Sequence, residues 1–483
     1  MTQAKRHCLR ILTPVHIGCD EVYEPTAFVI DREKRRLRSF DPFEFLRMLK
    51  QEDKGQFTAI CKKGTLESIL ELYRFILKKC PPDIRATEVG ICEELAGHYA
   101  NNLETQRHNF NIRREFNTFV IPRTAFNPNS GLPFIPGSSV KGALRTAYLN
   151  AQQKKKPAGR QSEGKDLEKD LLKYKSFETD PFRLVKVSDF MPIGGMKTRI
   201  VYGVNRKKKP GQFEAGGPPQ ILEVVEPGCF FEGWISVNTP ESGSEIANPV
   251  TLEALLDSVK GFYTRELDRE NRDLQGLGIM AVKQQGSQDC RVLRLGRHSG
   301  AECVTIEGHR KIRIMKGRGN RPEYEKNATT LWFAADSRNP TGGQSLVPFG
   351  WAILEPLTQE VYQEIMRSLD AASTGPLSIP KETELAVGVH KKEMDEGFGR
   401  KASELSKPVQ REMWHGVHLS WDPGSQTVSA NTPDGKAFTK ERSVIPESIY
   451  DRLCGKRKTV RADIEVEPAG GKNFKIISIE PVS

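Results

Sequence analysis

Short runs in which apolar and polar residues alternate are separated by a few segments with helical spacing. Residues 8–30 read as two short strands, Cys8 to Pro14 and Ala27 to Ile30, joined by the polar connection HIGCDEVYEPT. Strand, polar turn and strand open an α+β unit rather than a bundle. At Asp41-Pro42 an N-cap residue and an N1 proline precede Phe43, Phe45, Leu46 and Leu49 at helical spacing. Further on, LESILELYRFILKKC repeats apolar residues at i, i+3, i+4 and i+7 until Pro81-Pro82 stops it. Residues 41–105 are therefore expected to be an inserted helical subdomain whose Phe and Tyr stripe faces a core. Strands are expected in FRLVKVSDF, KTRIVYGVNRKKK and QILEVVEPGCFFEGWISV, the last read as a hairpin about Pro227-Gly228 over Gln220 to Val237. A helix, TLEALLDSVKGFYTRELDREN, follows. The end of the chain, with HGVHLSW, KTVRADIEVEP and NFKIISIEP, reads as a small β-rich addition.

Length and charge narrow the classes. A chain of 483 residues exceeds the usual single-domain range. The pattern divides it into 1–155 with the helical insertion, 176–395, and 400–483. No stretch of about 18 or more uncharged apolar residues is present, and MTQAKRHCLRILTPVHIG lacks the apolar run and cleavage site of a secretory signal. A cytoplasmic protein without membrane contact is expected. The nine cysteines include no C-x-x-C pair, so neither a disulfide framework nor a zinc knuckle is suggested. Lys plus Arg at 73 against Asp plus Glu at 62 leaves a net charge of +11, which fits either a polyanionic partner or plain solubility.

The stretch Ile135-Pro136-Gly137-Ser138-Ser139-Val140-Lys141-Gly142-Ala143-Leu144-Arg145 looks central. An apolar approach halts at Pro136-Gly137, Ser138 or Ser139 can cap the helix that follows, and Lys141 and Arg145 share one face of it. Free N–H groups and two cations at a helix start make a phosphate grip, or equally an ordinary capped helix with a solvated basic edge. In RVLRLGRHSGAECV a strand enters Gly296 and a loop closes at Gly300, with Arg294, Arg297, His298 and Ser299 supplying cationic and hydrogen-bonding groups. The loop lacks the spacing of a Walker or dinucleotide motif, and an RNA backbone suits it better. Arg107, His108, Arg113, Arg114 and Arg123 interleave with Phe110, Phe116 and Phe119, as single-stranded nucleic acid requires and as a half-buried strand would also show. Arg199, Arg206, Lys207, Lys208 and Lys209 end a strand in a basic turn or a flexible hairpin tip. His16 is a turn histidine or a general base; the adjacent Asp20 and Glu21 read as a solvated acidic turn, and His415 and His418 as strand-surface residues rather than a metal pair.

FIPGSSVKGALRTA, LTPVHIG and LGRHSGAECV together resemble the RAMP superfamily of CRISPR-associated proteins. Within it, EVVEPGCFFEGWISV and KTRIVYGVNRK bring residues 5–355 nearest to the subunit family that caps the head end of type III-A Csm effector complexes, near the 3′ end of the guide RNA. The resemblance implies an α+β fold of tandem ferredoxin-like or RNA-recognition-like domains, and a non-enzymatic role in guide maturation and assembly. It implies no cofactor or metal. The implied partners are CRISPR guide RNA, the neighbouring backbone RAMP subunit, other Csm-type subunits, host nucleases, and target RNA nearby. Expected RNA contacts are His16, Ser138, Ser139, Lys141, Arg145, Arg294, Gly296, Arg297, His298, Ser299 and Gly300. The alternatives are a RAMP endoribonuclease using His16 or His298 as general base with Lys141 beside the oxyanion, a backbone subunit cutting target RNA, and a purely structural assembly protein.

Overall fold

A computed structural model describes residues 3–104, 119–156, 164–209, 219–284, 289–315, 321–340, 343, 345–374, 412–422, 427–432, 436–439, 444–454, 459–468 and 473–481. The chain divides into two compact units, Met1–Lys381 and Glu382–Ser483.

The first unit opens with strands β1 (Gln3–Ile11), β2 (Gly18–Tyr23), β3 (Phe28–Asp31) and β4 (Arg36–Phe40). Helices α1 (Pro42–Met48), α2 (Gln51–Lys63) and α3 (Leu66–Lys79) lead to β5 (Ala86–Ile91), α4 (Glu93–Glu104) and β6 (Ile121–Thr124). Then come α5 (Gly137–Lys155), α6 (Gly164–Leu172), β7 (Val185–Val187), β8 (Met191–Ile193), β9 (Thr198–Lys207), β10 (Gln220–Val225) and β11 (Phe230–Val237). The long helix α7 (Leu252–Gly276) precedes β12 (Arg291–Arg294), β13 (Ile312–Ile314), β14 (Glu323–Glu325), β15 (Thr330–Ala335), β16 (Val347–Pro348), β17 (Trp351–Pro356) and α8 (Gln359–Thr374).

Two sheets organise these elements. The first runs β12-β17-β1-β11-β7 with antiparallel pairing throughout, and β8 also lies on β11. Chain order β1, α5, β7, β11, α7, β17 against spatial order β17-β1-β11-β7 is the β-α-β-β-α-β arrangement of a ferredoxin-like fold. The apolar faces of α5 (Val140, Ala143, Leu144, Ala147) and α7 (Leu255, Val259, Phe262, Tyr263) join Leu9, Ile11, Phe231 and Leu354 in one core. The second sheet runs β16-β15-β9-β5-β4-β3, with β10 also on β9.

Several expectations give way here. The break foreseen near residue 155 is no break in packing, because each sheet draws strands from both sides of it. The helical insertion of residues 41–105 contains a strand: β5 pairs antiparallel with β4 and parallel with β9. Residues 220–237 are not a hairpin, since β10 pairs with β9 in one sheet and β11 with β1 in the other. Pro227-Gly228 instead passes the chain between sheets. Two apolar strands on one turn look alike in sequence whether they pair with each other or with different neighbours.

In the second unit, β18 (Glu412–Asp422), β19 (Thr427–Asn431), β20 (Lys436–Thr439), β21 (Thr459–Pro468) and β22 (Asn473–Pro481) form a closed barrel, with α9 (Glu447–Cys454) between β20 and β21. Its own core holds Leu419, Val428, Ala437, Ile464, Val466 and Ile476. Among the described residues no helix is long and apolar enough to cross a membrane.

At the start of α5, a Cβ on Gly137 would lie 2.5 Å from the Val187 carbonyl oxygen and 2.6 Å from that of Ser188. Gly142, one turn on, faces open space. Gly137→Ala is expected to cost about 1–3 kcal/mol through overpacking against backbone, and Gly142→Ala to add about 0.4–1 kcal/mol by restricting the unfolded chain. Urea unfolding of the two variants checks both signs.

Candidate nucleic-acid interface

The basic helix start is built differently from its sequence reading. Pro136 occupies the N-cap position and no side chain of the helix caps it. The Gly137 N–H donates instead to Asp189 Oδ1 at 2.8 Å. Capping by Ser138 or Ser139 is thus corrected: a carboxylate from the β7–β8 connection already sits at the positive end of α5, where a phosphate would have gone. Ser138 is exposed and Ser139 half-buried. Lys141 Nζ donates to the Val185 carbonyl at 2.8 Å. Burial, with Lys186 adding to it, lowers the ammonium's pKa.

Arg145 is more firmly committed. Its guanidinium donates to Glu168 Oε2 at 2.8 and 3.1 Å and to Asp180 at 3.0 and 3.3 Å, and it lies over the Phe182 ring. Two carboxylates neutralise it, so its role here is to fasten α5 to α6 and to the segment before β7.

The glycine loop does meet the early strand segment. The Arg297 N–H donates to the His16 carbonyl at 2.8 Å, Leu295 N–H to Gly350 O at 2.8 Å, and Gly350 N–H to Pro14 O at 2.9 Å. Gly296 has φ +79° and presses so close to the His16 carbonyl that no Cβ fits. Gly300 also has positive φ, at 76°. Val15 exchanges backbone hydrogen bonds with Val225 of β10 at 2.8 and 3.1 Å. PVHIG is therefore the crossing between the two sheets, and the glycine loop is the clamp that holds it.

Not every residue of the loop faces outward. Arg294 is buried and paired with Glu270 of α7. Its Nε donates to Phe349 O at 2.9 Å, its guanidinium lies over Trp351, and Trp351 Nε1 donates to the second Glu270 oxygen at 2.9 Å. The expectation that Arg294 touches RNA is overturned by this enclosure. Ser299 is buried too, its hydroxyl donating to Gly296 O at 2.5 Å. His298 takes positive φ at 66° and stacks on Trp332 with ring centroids 4.3 Å apart. Its pKa falls to about 4, first through burial and then through the charges of Arg297, His16 and Arg294. His16 is buried, with Nδ1 2.7 Å from Glu223 O. A carbonyl can only accept, so the proton sits on Nδ1. Burial lowers this ring's pKa as well, the hydrogen bond opposing and Arg297 assisting. Both rings are neutral near pH 7. Arg297 alone of the loop's cations is exposed.

A feature that the earlier motifs missed completes the surface. Glu302, just after the loop, is buried and accepts from Lys208 Nζ at 2.6 Å and from the Ala328 N–H at 3.0 Å, while Arg310 donates to its carbonyl at 3.1 Å. Burial pushes its carboxyl upward, but Lys208 and Arg269 more than offset this and hold it below the usual range. Arg310 and Ala328 bracket the β13–β14 hairpin, so the hairpin's base and the glycine loop share one anchor. The hairpin carries Lys311, Arg313, Arg321 and Lys326 exposed, with Tyr324 65% exposed opposite Arg313. Exposed cations beside an exposed ring are what an unpaired strand needs. The signal was present as the cation density of HRKIRIMKGRGNRPEYEKN.

Two other basic stretches resolve in opposite senses. Lys208 lies inside the Glu302 and Asp273 network and Arg206 donates to Pro340 O at 3.0 Å, so neither is a free hairpin tip. Arg107, His108, Phe110, Arg113, Arg114 and Phe116 lie outside the described residues. Arg123 packs over Phe126 and Tyr23, 4.0 Å from Glu223, and Phe119 is core. Among the described residues no group of three or more His, Cys, Asp or Glu side chains is placed to hold a metal ion.

A ferredoxin-like sheet whose glycine loop clamps the first βα crossing defines a class. The family model of the RAMP superfamily matches residues 8–277, and the chain belongs to that superfamily. Within it, the chain is similar to the CRISPR system protein Csm5 of Streptococcus thermophilus, 27% identical over 289 residues, covering 55% of this chain and 74% of that one. It is also similar to Csm5 of Enterococcus italicus, 23% identical over 243 residues, covering 48% of this chain and 59% of that one. Among solved structures, a chain of a Csm–crRNA–target RNA ternary complex of a type III-A CRISPR-Cas system aligns with a TM-score of 0.42 at 20% identity, covering 73% of this chain and 100% of that one. The crystal structure of T. onnurineus Csm5 aligns with a TM-score of 0.42 at 18% identity, covering 72% and 99%.

Two outcomes follow for the clamp. Glu270→Gln is expected to cost about 3–5 kcal/mol in urea unfolding, because it strands the buried Arg294 charge, whereas the double variant Glu270→Leu/Arg294→Met should lose markedly less. Since His298 is neutral when folded and titrates at 6.5 when unfolded, its contribution is full above that pH and lost as pH falls towards 4. The Tm should drop over that window, and His298→Asn should flatten the drop.

Proposed function

We propose that this chain is a guide-RNA-binding subunit of a type III-A Csm effector ribonucleoprotein, capping the backbone at the guide's 3′ side and supporting guide maturation and assembly in antiviral defence. The observation that carries the reading is the shared Glu302 anchor, which ties the loop carrying exposed Arg297 to the base of a hairpin with exposed cations on a RAMP scaffold. Membership of the superfamily and similarity to two Csm5 proteins supply the complex. Its partners are CRISPR guide RNA, the adjoining backbone RAMP subunit, other Csm subunits and host nucleases, with target RNA nearby. The RNA contacts are Arg297, Lys311, Arg313 and Tyr324, with exposed Ser138 and half-buried Lys141 at the start of α5. Arg145, Arg294, Gly296 and Ser299 shape that surface without meeting the RNA.

The subunit is non-catalytic. A general base works best with a pKa near the operating pH, and burial has moved His16 and His298 away from it. A guide subunit must accept many spacers, so its contacts go to phosphates and sugars rather than base edges.

Filter binding of labelled guide RNA to the purified chain tests this. Arg297→Glu and Arg313→Glu should each weaken binding roughly tenfold and lower the log–log salt slope by about 1, with no change in spacer preference. Affinity flat with salt would overturn the proposal. So would cleavage of a repeat-containing RNA that His16→Ala or His298→Ala abolishes.

A further inference from the structure

The second unit lies outside the region that the superfamily model matches, and its topology is informative by itself. Number its strands one to five in chain order, β18 to β22. The barrel then closes in the order 1-2-3-5-4 and back to 1. Neighbours one and two, two and three, four and five, and one and four are antiparallel; three and five are parallel. A helix, α9, connects strands three and four. A five-stranded Greek-key barrel with this order and one parallel contact is the OB-fold. The register shift between Trp414 and Val417 has a stated cause. Gly416 donates to Asp463 Oδ1 at 2.5 Å and accepts from Arg461 Nε at 2.9 Å, so strand one bends there and pairs with both neighbours.

OB-folds take oligonucleotides or oligosaccharides on the face of strands two and three. Side chains of this barrel sort by face. Val428, Ala430, Ala437 and Thr439 point into the core, which leaves Ser429 on strand two and Lys436 and Phe438 on strand three pointing out. Phe438 is 38% exposed, with Ser429 opposite it on one side and exposed Lys475 opposite it on the other. The Ser429 and Ser420 hydroxyls lie 3.1 Å apart, continuing a low polar surface to strand one. Arg461, Asp463, Glu465 and Glu467 alternate along the outer side of strand four. Glu467 lies directly opposite Lys475 of strand five.

We infer that the barrel is a second nucleic-acid-binding module, taking single-stranded RNA across strands two and three by stacking a base on Phe438 and setting phosphates on Lys436 and Lys475. A carbohydrate ligand is disfavoured because the face offers cations. An exposed ring has a use for a flat base that it lacks for an acidic peptide. The inference goes beyond the role proposed for the first unit, since it needs neither the glycine loop nor the β13–β14 hairpin.

The test uses the full chain carrying Arg297→Glu, with fluorescein-labelled oligouridine of about 15 nucleotides, within the reach of one OB barrel. Ultraviolet crosslinking followed by mass spectrometry should place an adduct in the Lys436–Thr439 strand. Anisotropy should show Phe438→Ala weakening binding roughly tenfold and Phe438→Tyr retaining it, as loss and preservation of one stacking platform predict. Lys436→Glu with Lys475→Glu should lower the salt slope by about 1.4. Because these side chains point outward, thermal unfolding of each variant should match the parent, separating lost binding from lost folding. Absence of the adduct together with unchanged affinity in Phe438→Ala would overturn the inference. Competition by an acidic peptide but not by oligouridine would overturn it in favour of a protein-docking face. If Arg297→Glu alone changes nothing with guide RNA while the barrel adduct appears, the first unit's reading fails and this one stands.

Discussion

The buried pair of Arg294 and Glu270 is the constraint on which the first unit depends. A guanidinium taken out of water is tolerable only when its donors are met. Glu270, the Phe349 carbonyl and the face of Trp351 meet them. These partners come from a helix, the bend before β17 and β17 itself, so Arg294 on β12 locks β12, α7 and β17 together. The chain leaves Arg294 straight into Gly296, which fixes the loop against the His16 carbonyl and through it the crossing between sheets. A weaker contact at that point would let the loop drift, and with it the Glu302 anchor six residues beyond Gly296.

Charge has been sorted by this arrangement. A net charge of +11 suggests a broadly attractive surface, yet many of the cations that look attractive in sequence are spent inside. Arg145, Lys208, Arg269, Arg294 and Arg310 each sit within reach of one or more carboxylates, at 2.6 to 3.5 Å where they are not closer still. Such pairs contribute to shape and leave almost no field outside, since the paired charges cancel within a Debye length. Arg297, Arg313, Arg321 and Lys326, by contrast, are exposed on this unit, as Lys436 is on the other.

Much of the first unit was legible because periodicity reports burial. The helices of α3 and α7 declare themselves by apolar spacing, and β1, β9 and β11 by short apolar runs. Topology was less so. β5 sits among helices and was absorbed into them, and QILEVVEPGCFFEGWISV reads as one hairpin because pattern specifies which face is buried, not which strand lies alongside. The site shows the same limit. LTPVHIG and LGRHSG were both visible, and the fold brings them together, but a positive charge in a sequence carries no sign of its partner. Glu168, Asp180 and Glu270 lie 23, 35 and 24 residues from the arginines they neutralise, too far for any local rule to pair them. The hairpin at 312–325 was overlooked for the converse reason: its cations are exposed where no motif marks them.

The surfaces proposed for the two units differ in what they offer a nucleotide. A protein that must hold RNA of any sequence can use only what every nucleotide has, a phosphate and a flat ring. On the RAMP unit the cations lead, and that kind of attraction weakens as salt rises because bound counterions are no longer released into dilute solution. On the barrel an outward ring, Phe438, lies between Ser429 and Lys475, so that stacking and phosphate attraction act together in the proposed site.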